Sequence, residues 1–484
     1  MACLVRDGLV TPRRLVILAG SALVLMAPMA VDPLLVAGCG ACLALIGAIL
    51  LAPGAPPVFA LVVGYQWAQV AVAALYANAT GEGIEGLYPV GDVVLATAYG
   101  LLAIATAALA LGLLVWRFPI SADAIGNALR RMSVLRLVQC YAALGLIGLP
   151  LERMVGVGGQ AAQLVQAFVD LRWALLFLLV AAALVQRRGA LWSAAAVTVE
   201  LAIGFSGFFA GFAEPLMLAL LAFLSVFAFL RPHQRVAAAA LAIAMLGLGV
   251  IWQGFKNEYR REVSGGTGEQ VVVIGLGERY ATLGRMAGET VAGDVDAVVQ
   301  KFALRLAYVQ NFGLVLRRVP AELPHREGEL LDAAIGHVFM PRILFPGKPP
   351  LPSDSELTAH YTANIYILYM TGTSISLGYV TELFIDFGLP GVVLAGLLLG
   401  LLLGGVHLGF RAASPDPALA LALASGVLLS ARAFETALPK LIGGVLAAFL
   451  VQVALMWLLR AWLLPLLRGE PLHGAGLVRD GGRA

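Results

Sequence analysis

Two carboxylates four residues apart are the first candidates for chemistry. Glu382 and Asp386 stand in the run Leu377–Gly391, LGYVTELFIDFGLPG. That spacing puts both on one face of a helix. Their neighbours are apolar, and a carboxyl group kept from water has a raised pKa, which makes it a usable base near neutral pH. The other reading is that one of them holds an arginine in a structural pair. Just upstream lie Asp354, Glu356, His360 and Tyr366, in a stretch of 353–374 rich in Ser, Thr, Tyr and Asn that reads as an ordered polar loop. His360 is either a base titrating near neutral pH or a solvated surface histidine. Glu200 and Glu214 are weaker acidic candidates, with Glu214 expected to face outward before Pro215.

Cations form the second group. Arg342 and Lys348 sit in PRILFPGKP, Pro341–Pro349. Proline fixes the backbone, so this run holds side chains in place without regular structure. Two cations so held suit a phosphate or diphosphate group; the bland alternative is snorkelling toward lipid headgroups. Arg305 lies near the apolar face of an amphipathic pattern, whereas Arg317 and Arg318 follow on its solvated side. Arg153, Arg172 and Arg432 complete the set, with Asp170 and Glu435 offering simple ion pairs.

Other signals lead nowhere. The six histidines show no paired ligand spacing, so neither a metal nor another cofactor is called for. Cys39 and Cys42 form a CxxC, but among Gly38, Gly40 and Ala41 they read as small residues at a helix contact. The run VVVIGLG at Val271–Gly277 has Tyr280 where a dinucleotide fingerprint needs a small residue.

The elements that must position these residues are membrane helices. Of the 484 residues, 60% are hydrophobic and 13% charged, and mean hydropathy is +0.90. Soluble domains are about 25% charged, so a water-soluble enzyme is excluded. A net charge of +3 gives no reason to expect nucleic acid. Apolar stretches of helix-spanning length predict about twelve transmembrane helices, including a long one over 377–408 with a break expected near Pro390. Residues 253–374 hold 25 of the chain's 61 charges, so this segment lies in water between helices nine and ten. With the N-terminus in the cytoplasm, 16 Lys/Arg fall in cytoplasmic segments and four in the short outer ones. The expected arrangement is a nine-helix region over 1–252, an outer segment over 253–374, three helices over 375–464 and a cytoplasmic tail over 465–484. From Val295 to Leu316 apolar residues recur at helical spacing, and a second helix is expected over Glu329–Phe339.

The order of these features resembles a known family. An outer amphipathic helix with Arg305, a Val319–Pro320 stop, a Gly328 turn, PRILFPGKP, a Ser/Thr-rich loop and GYVTELFIDFGLPGVV opening a helix are similar to the bacterial Wzy-type oligosaccharide repeat-unit polymerases. These are related to O-antigen ligases. The resemblance is concentrated in about 300–405. It implies a GT-C-like, all-α polytopic glycosyltransferase of the bacterial inner membrane that joins undecaprenyl-diphosphate-linked oligosaccharides into O-antigen or exopolysaccharide. The lipid bilayer, a chain-length regulator and a flippase are its implied partners. On this reading Glu382, His360 or Asp386 serves catalysis, and Arg342, Lys348, Arg305, Arg172, Arg432, Arg153 and Tyr366 meet the diphosphate or the sugar. A ligase, or a lipid-oligosaccharide flippase or other transporter, is the competing reading; a transporter would place its charges in mid-span.

Overall fold

The computed structural model describes residues 11–155, 162–208, 211–267, 271–340, 345, 347–348, 351–369 and 374–471. Among the described residues there is no strand. The principal helices are α1 (Pro12–Met26), α2 (Pro33–Leu50), α3 (Pro57–Thr80), α4 (Val93–Arg117), α5 (Val134–Val155), α6 (Leu171–Gln186), α7 (Ala190–Ser206), α8 (Ala213–Ser225) and α9 (Pro232–Val263). They continue with α10 (Leu276–Ala292), α11 (Val295–Leu306), α12 (Gln310–Arg318), α13 (Glu329–Phe339), α14 (Asp354–Thr362), α15 (Tyr379–Phe387), α16 (Leu389–Ala413), α17 (Pro417–Leu428) and α18 (Leu438–Leu458). Proline stands at the first or second position of α1, α2, α3, α9, α16, α17 and α18. Its fixed φ and missing N–H suit a helix start, which has no intrahelical acceptor for that group.

This is an all-α membrane protein. Among the described residues eight helices are long and apolar enough to cross a membrane, and four shorter apolar helices lie at Val134–Gly148, Ala190–Ser206, Ala213–Ser225 and Pro417–Arg432. Between helices whose surroundings are as apolar as they are, close packing must supply the association. The crossing of α16 on α4 shows how. A Cβ on Gly396 would fall 2.2 Å from the Ala103 carbonyl oxygen, and one on Gly400 would fall 2.7 Å from the Ala110 Cβ. These glycines are four residues apart, so a single stripe lets the two backbones touch. Cys39 and Cys42 are buried in the core, and the Cys39 carbonyl accepts from Trp67 Nε1 at 2.9 Å.

Three sequence expectations are refined by the structure. The long helix over 377–408 is two helices, broken at Gly388, whose φ of +63° and ψ of −143° end α15 and start α16. The helix before the polar segment runs on to Val263, past the boundary expected at 252. The amphipathic stretch from Val295 to Leu316 is divided into α11 and α12. The division has a cause: the Tyr308 amide donates to the Gln69 carbonyl of α3 at 2.9 Å, and the Gly313 carbonyl accepts from the Asp92 amide at 2.9 Å. The Tyr308 bond replaces one to its own preceding turn, and the Gly313 bond fastens α12 beside the start of α4. The expected helix over Glu329–Phe339 is α13. Residues expected as polar loop form α14 and a 3-10 turn at Ile365–Tyr369.

Candidate functional site

The paired carboxylates share one face of α15, and each meets the start of another helix. Glu382 is 4% exposed, and its Oε2 accepts from the Leu438 amide at 2.9 Å. Leu438 is the first residue of α18. Asp386 is 1% exposed and accepts from the Leu330 and Leu331 amides at 3.1 and 2.8 Å, in the first turn of α13. First-turn amides have no acceptor within their own helix, and they carry the positive end of its dipole. Two acids one turn apart on α15 therefore tie down both α18 and α13. α15 is itself fixed by the Tyr379 amide, which donates to the Thr436 carbonyl at 2.9 Å, and by the Tyr379 hydroxyl, which donates to Gln66 Oε1 at 2.7 Å. α15 precedes the span that begins at Leu389. Burial pushes the Glu382 carboxyl up to about 7, against the pull of the Leu438 amide. Burial also raises Asp386, with its two amide donors opposing. Enclosure gives both acids a positioning role.

The remaining predicted residues are dispersed. Arg342 lies outside the described residues, as does the side chain of Arg153 in α5. Lys348 Nζ donates to the His337 carbonyl. His360 is exposed on α14; its ring stands edge-on to Tyr361, and its carbonyl accepts from Arg318 Nη1 at 2.6 Å. Tyr366 is 75% exposed. Among the described residues no group of three His, Cys, Asp or Glu comes together as a metal ion would require.

Arg172 and Arg432 do converge. Both line a cavity of about 360 Å³ between α6, α7, α8 and the end of α17, together with Asp170, Glu200, Glu214 and Ser430. Their partners are not the near-sequence acids. Arg172 Nε lies 4.0 Å from Glu200 Oε1, and its guanidinium covers the Trp173 ring at 4.6 Å. Glu200 Oε1 also accepts from the Tyr141 hydroxyl at 2.7 Å. Arg432 Nη2 donates to Glu214 Oε1. Glu435 instead accepts from Gln69 Nε2 at 2.5 Å.

Beside this cavity is a cationic wall that sequence reasoning found only in part. Lys256 and Arg260, one turn apart near the end of α9, stand within electrostatic reach of Arg305 on α11. Glu435 faces the same group, and Tyr65 connects the two places, since it lies in the fields of Arg432, Glu435 and Glu214. The end of α9 is held by an aromatic cluster of Phe208, Phe212, Trp252, Phe255 and Tyr259, with the Tyr259 hydroxyl donating to the Phe205 carbonyl at 3.1 Å. Arg260 Nε donates to the Phe208 carbonyl at 3.2 Å. The available signal was the i, i+4 spacing of Lys256 and Arg260 directly after an apolar run.

No family model, no curated protein and no solved structure matches the chain. The functional reading rests on the geometry. The cavity sets two arginines, Arg172 and Arg432, against three acids, Asp170, Glu200 and Glu214, and so offers no net attraction for an anion. The adjoining end of α9 brings Lys256 and Arg260 into the field of Arg305, with Glu435 acting on Lys256, and this grouping of basic side chains favours an anionic group.

Proposed function

We propose that the protein is a membrane glycosyltransferase that joins undecaprenyl-diphosphate-linked oligosaccharide repeat units into a surface polysaccharide. It crosses a bacterial inner membrane about twelve times, with both termini cytoplasmic and the 253–374 segment in the periplasm. The observation that carries this reading is the wall of Lys256, Arg260 and Arg305 beside Glu435, where the membrane bundle meets the polar segment. A diphosphate at the membrane surface is the anion that such a wall suits.

The reaction balances with these groups. A hydroxyl oxygen of the incoming unit attacks the anomeric carbon of the growing chain. The new glycosidic C–O bond forms as the C–O bond to the diphosphate breaks, and the diphosphate leaves with the electron pair. Lys256, Arg260 and Arg305 stabilise that developing charge. The hydroxyl proton passes to a carboxylate, for which Glu435 is placed next to the cations. This moves the base from Glu382 and His360 to Glu435, because Glu382 is enclosed and His360 stands apart in solvent.

Reconstitution with purified lipid-linked repeat units tests the proposal. A ladder of products is expected. One transfer to a different acceptor would mean a ligase, and movement of the lipid without bond formation a flippase. Lys256→Ala and Arg305→Ala should each remove most product while the protein still inserts; unchanged product length and rate in both would overturn the site.

A further inference from the structure

One helix of the polar segment packs against a membrane helix. α13 begins at the level of α15, where Asp386 binds its first-turn amides. It has 11 residues and is about 16 Å long. Its far end lies against α18: a Cβ on Gly443 would meet Val338 Cγ2 at 3.3 Å. Gly443 is the sixth residue of the membrane helix α18, about 8 Å along its axis from the first. The chain is back near the start of α18 at Asp354, whose Oδ2 lies 2.5 Å from Lys440 Nζ. α13 thus passes along the side of a membrane span, and the chain returns to the span's beginning within 16 residues of Val338.

The surface of α13 changes character along that path. Glu329 and Asp332 occupy its start. Beyond Asp332 the exposed residues are Ala333, Ile335, Gly336, Phe339 and then Met340, none of them polar. Phe339 is 70% exposed and Ile335 42%. α18 likewise presents a large apolar side chain outward further along its length, at Leu450, which is 62% exposed. One of the last carbonyls of α13 is capped from outside the helix. Its last carbonyls have no intrahelical donors and are costly to leave bare in hydrocarbon; the His337 carbonyl receives Lys348 Nζ.

We propose that α13 is a re-entrant helix. Its acidic start stays at the aqueous rim, and its tip enters the hydrocarbon beside α18, where acyl chains of the bilayer cover Ile335, Phe339 and Met340. Contact of the α13 end with the membrane span α18, about 8 Å beyond the first residue of that span, selects lipid over a second copy of the chain. This inference is independent of the proposed enzymatic activity.

The test uses the wild-type protein in phosphatidylglycerol/phosphatidylethanolamine vesicles containing a phospholipid with a diazirine in its acyl chain. After photolysis, lipid adducts are mapped by peptide mass spectrometry. Adducts within 335–340 are expected at a yield comparable to the peptide containing Leu450, and several-fold above the peptide around Glu322, a charged residue that is 61% exposed and paired with Arg318. A yield at 335–340 no higher than at Glu322 would overturn the proposal, as would a protein–protein crosslink there in place of lipid. A second readout uses nitroxides on Phe339→Cys and Glu322→Cys, with the four native cysteines replaced. Oxygen should relax the Phe339 label and a water-soluble nickel chelate the Glu322 label; relaxation of both by the chelate would also refute insertion.

Discussion

Replacing Glu382 by Gln is expected to make the protein more stable, increasingly so as pH rises. The carboxyl is 4% exposed, and burial lifts it from an ordinary 4.5 to about 7. The sign follows from proton binding. Below about pH 4.5 Glu382 is protonated folded and unfolded, and no penalty applies. Between about 4.5 and 7 the unfolded chain gives up the proton while the folded protein retains it, so stability falls with rising pH. Above about 7 both states are ionised, and the full penalty is on the order of 3 kcal/mol. Gln keeps an oxygen for the Leu438 amide and has no charge to bury. Its advantage over the parent should widen by about 2 kcal/mol between about pH 5.5 and 8.5. Thermal unfolding in detergent, followed by tryptophan fluorescence across that range, measures the gap. A gap that stays constant, or one that closes with rising pH, would refute the reasoning; it would mean that the first turn of α18 and the nearby Lys440 stabilise the anion more than burial penalises it. Because the role assigned to Glu382 is positional, E382Q should also leave the proposed transferase activity unchanged.

Three other substitutions probe separate joints. Asp386→Ala removes both side-chain acceptors from the first turn of α13; a cost of about 1–2 kcal/mol is expected, with faster hydrogen exchange over 329–339 and little change in α16. Gly396→Leu places atoms where the Ala103 carbonyl already stands 2.2 Å from a Cβ; separation of α4 from α16 is expected, read as loss of monodisperse protein in size-exclusion chromatography. Lys440→Ala breaks an ion pair with Asp354 that is 61% exposed on the lysine side, so a stability change below about 1 kcal/mol is expected in the same unfolding assay.

Much of the fold is legible in the residues themselves. The surplus of apolar residues requires a membrane bundle, and the crowding of charge into 253–374 separates one polar segment from it. The bounds of α13 follow from a glycine at 328, a helical apolar period and a proline at 341. The interruption between α15 and α16 is signalled by Pro390, although the break itself falls at Gly388. The candidate site is legible as a list of cations and acids, but Lys256 and Arg260 fall in sequence within the outer polar segment that starts at 253. In the structure they are the last turns of a continuous helix.

Partnership is what the sequence left open. Arg172 is two residues from Asp170 but meets Glu200; Arg432 is three from Glu435 but meets Glu214. Glu382 and Asp386 were placed on one helix face by their spacing alone, yet their task depends on which helix starts arrive there, one of them 56 residues away in sequence. The sequence by itself determined which segments are helical, which are apolar and where charge is concentrated, because these follow from local backbone preference and side-chain transfer energies. Tertiary structure alone decided which charges cancel and which stand together, because that depends on how distant helices are rotated and slid against one another, and close-packed glycine contacts fix that register only once the bundle has assembled.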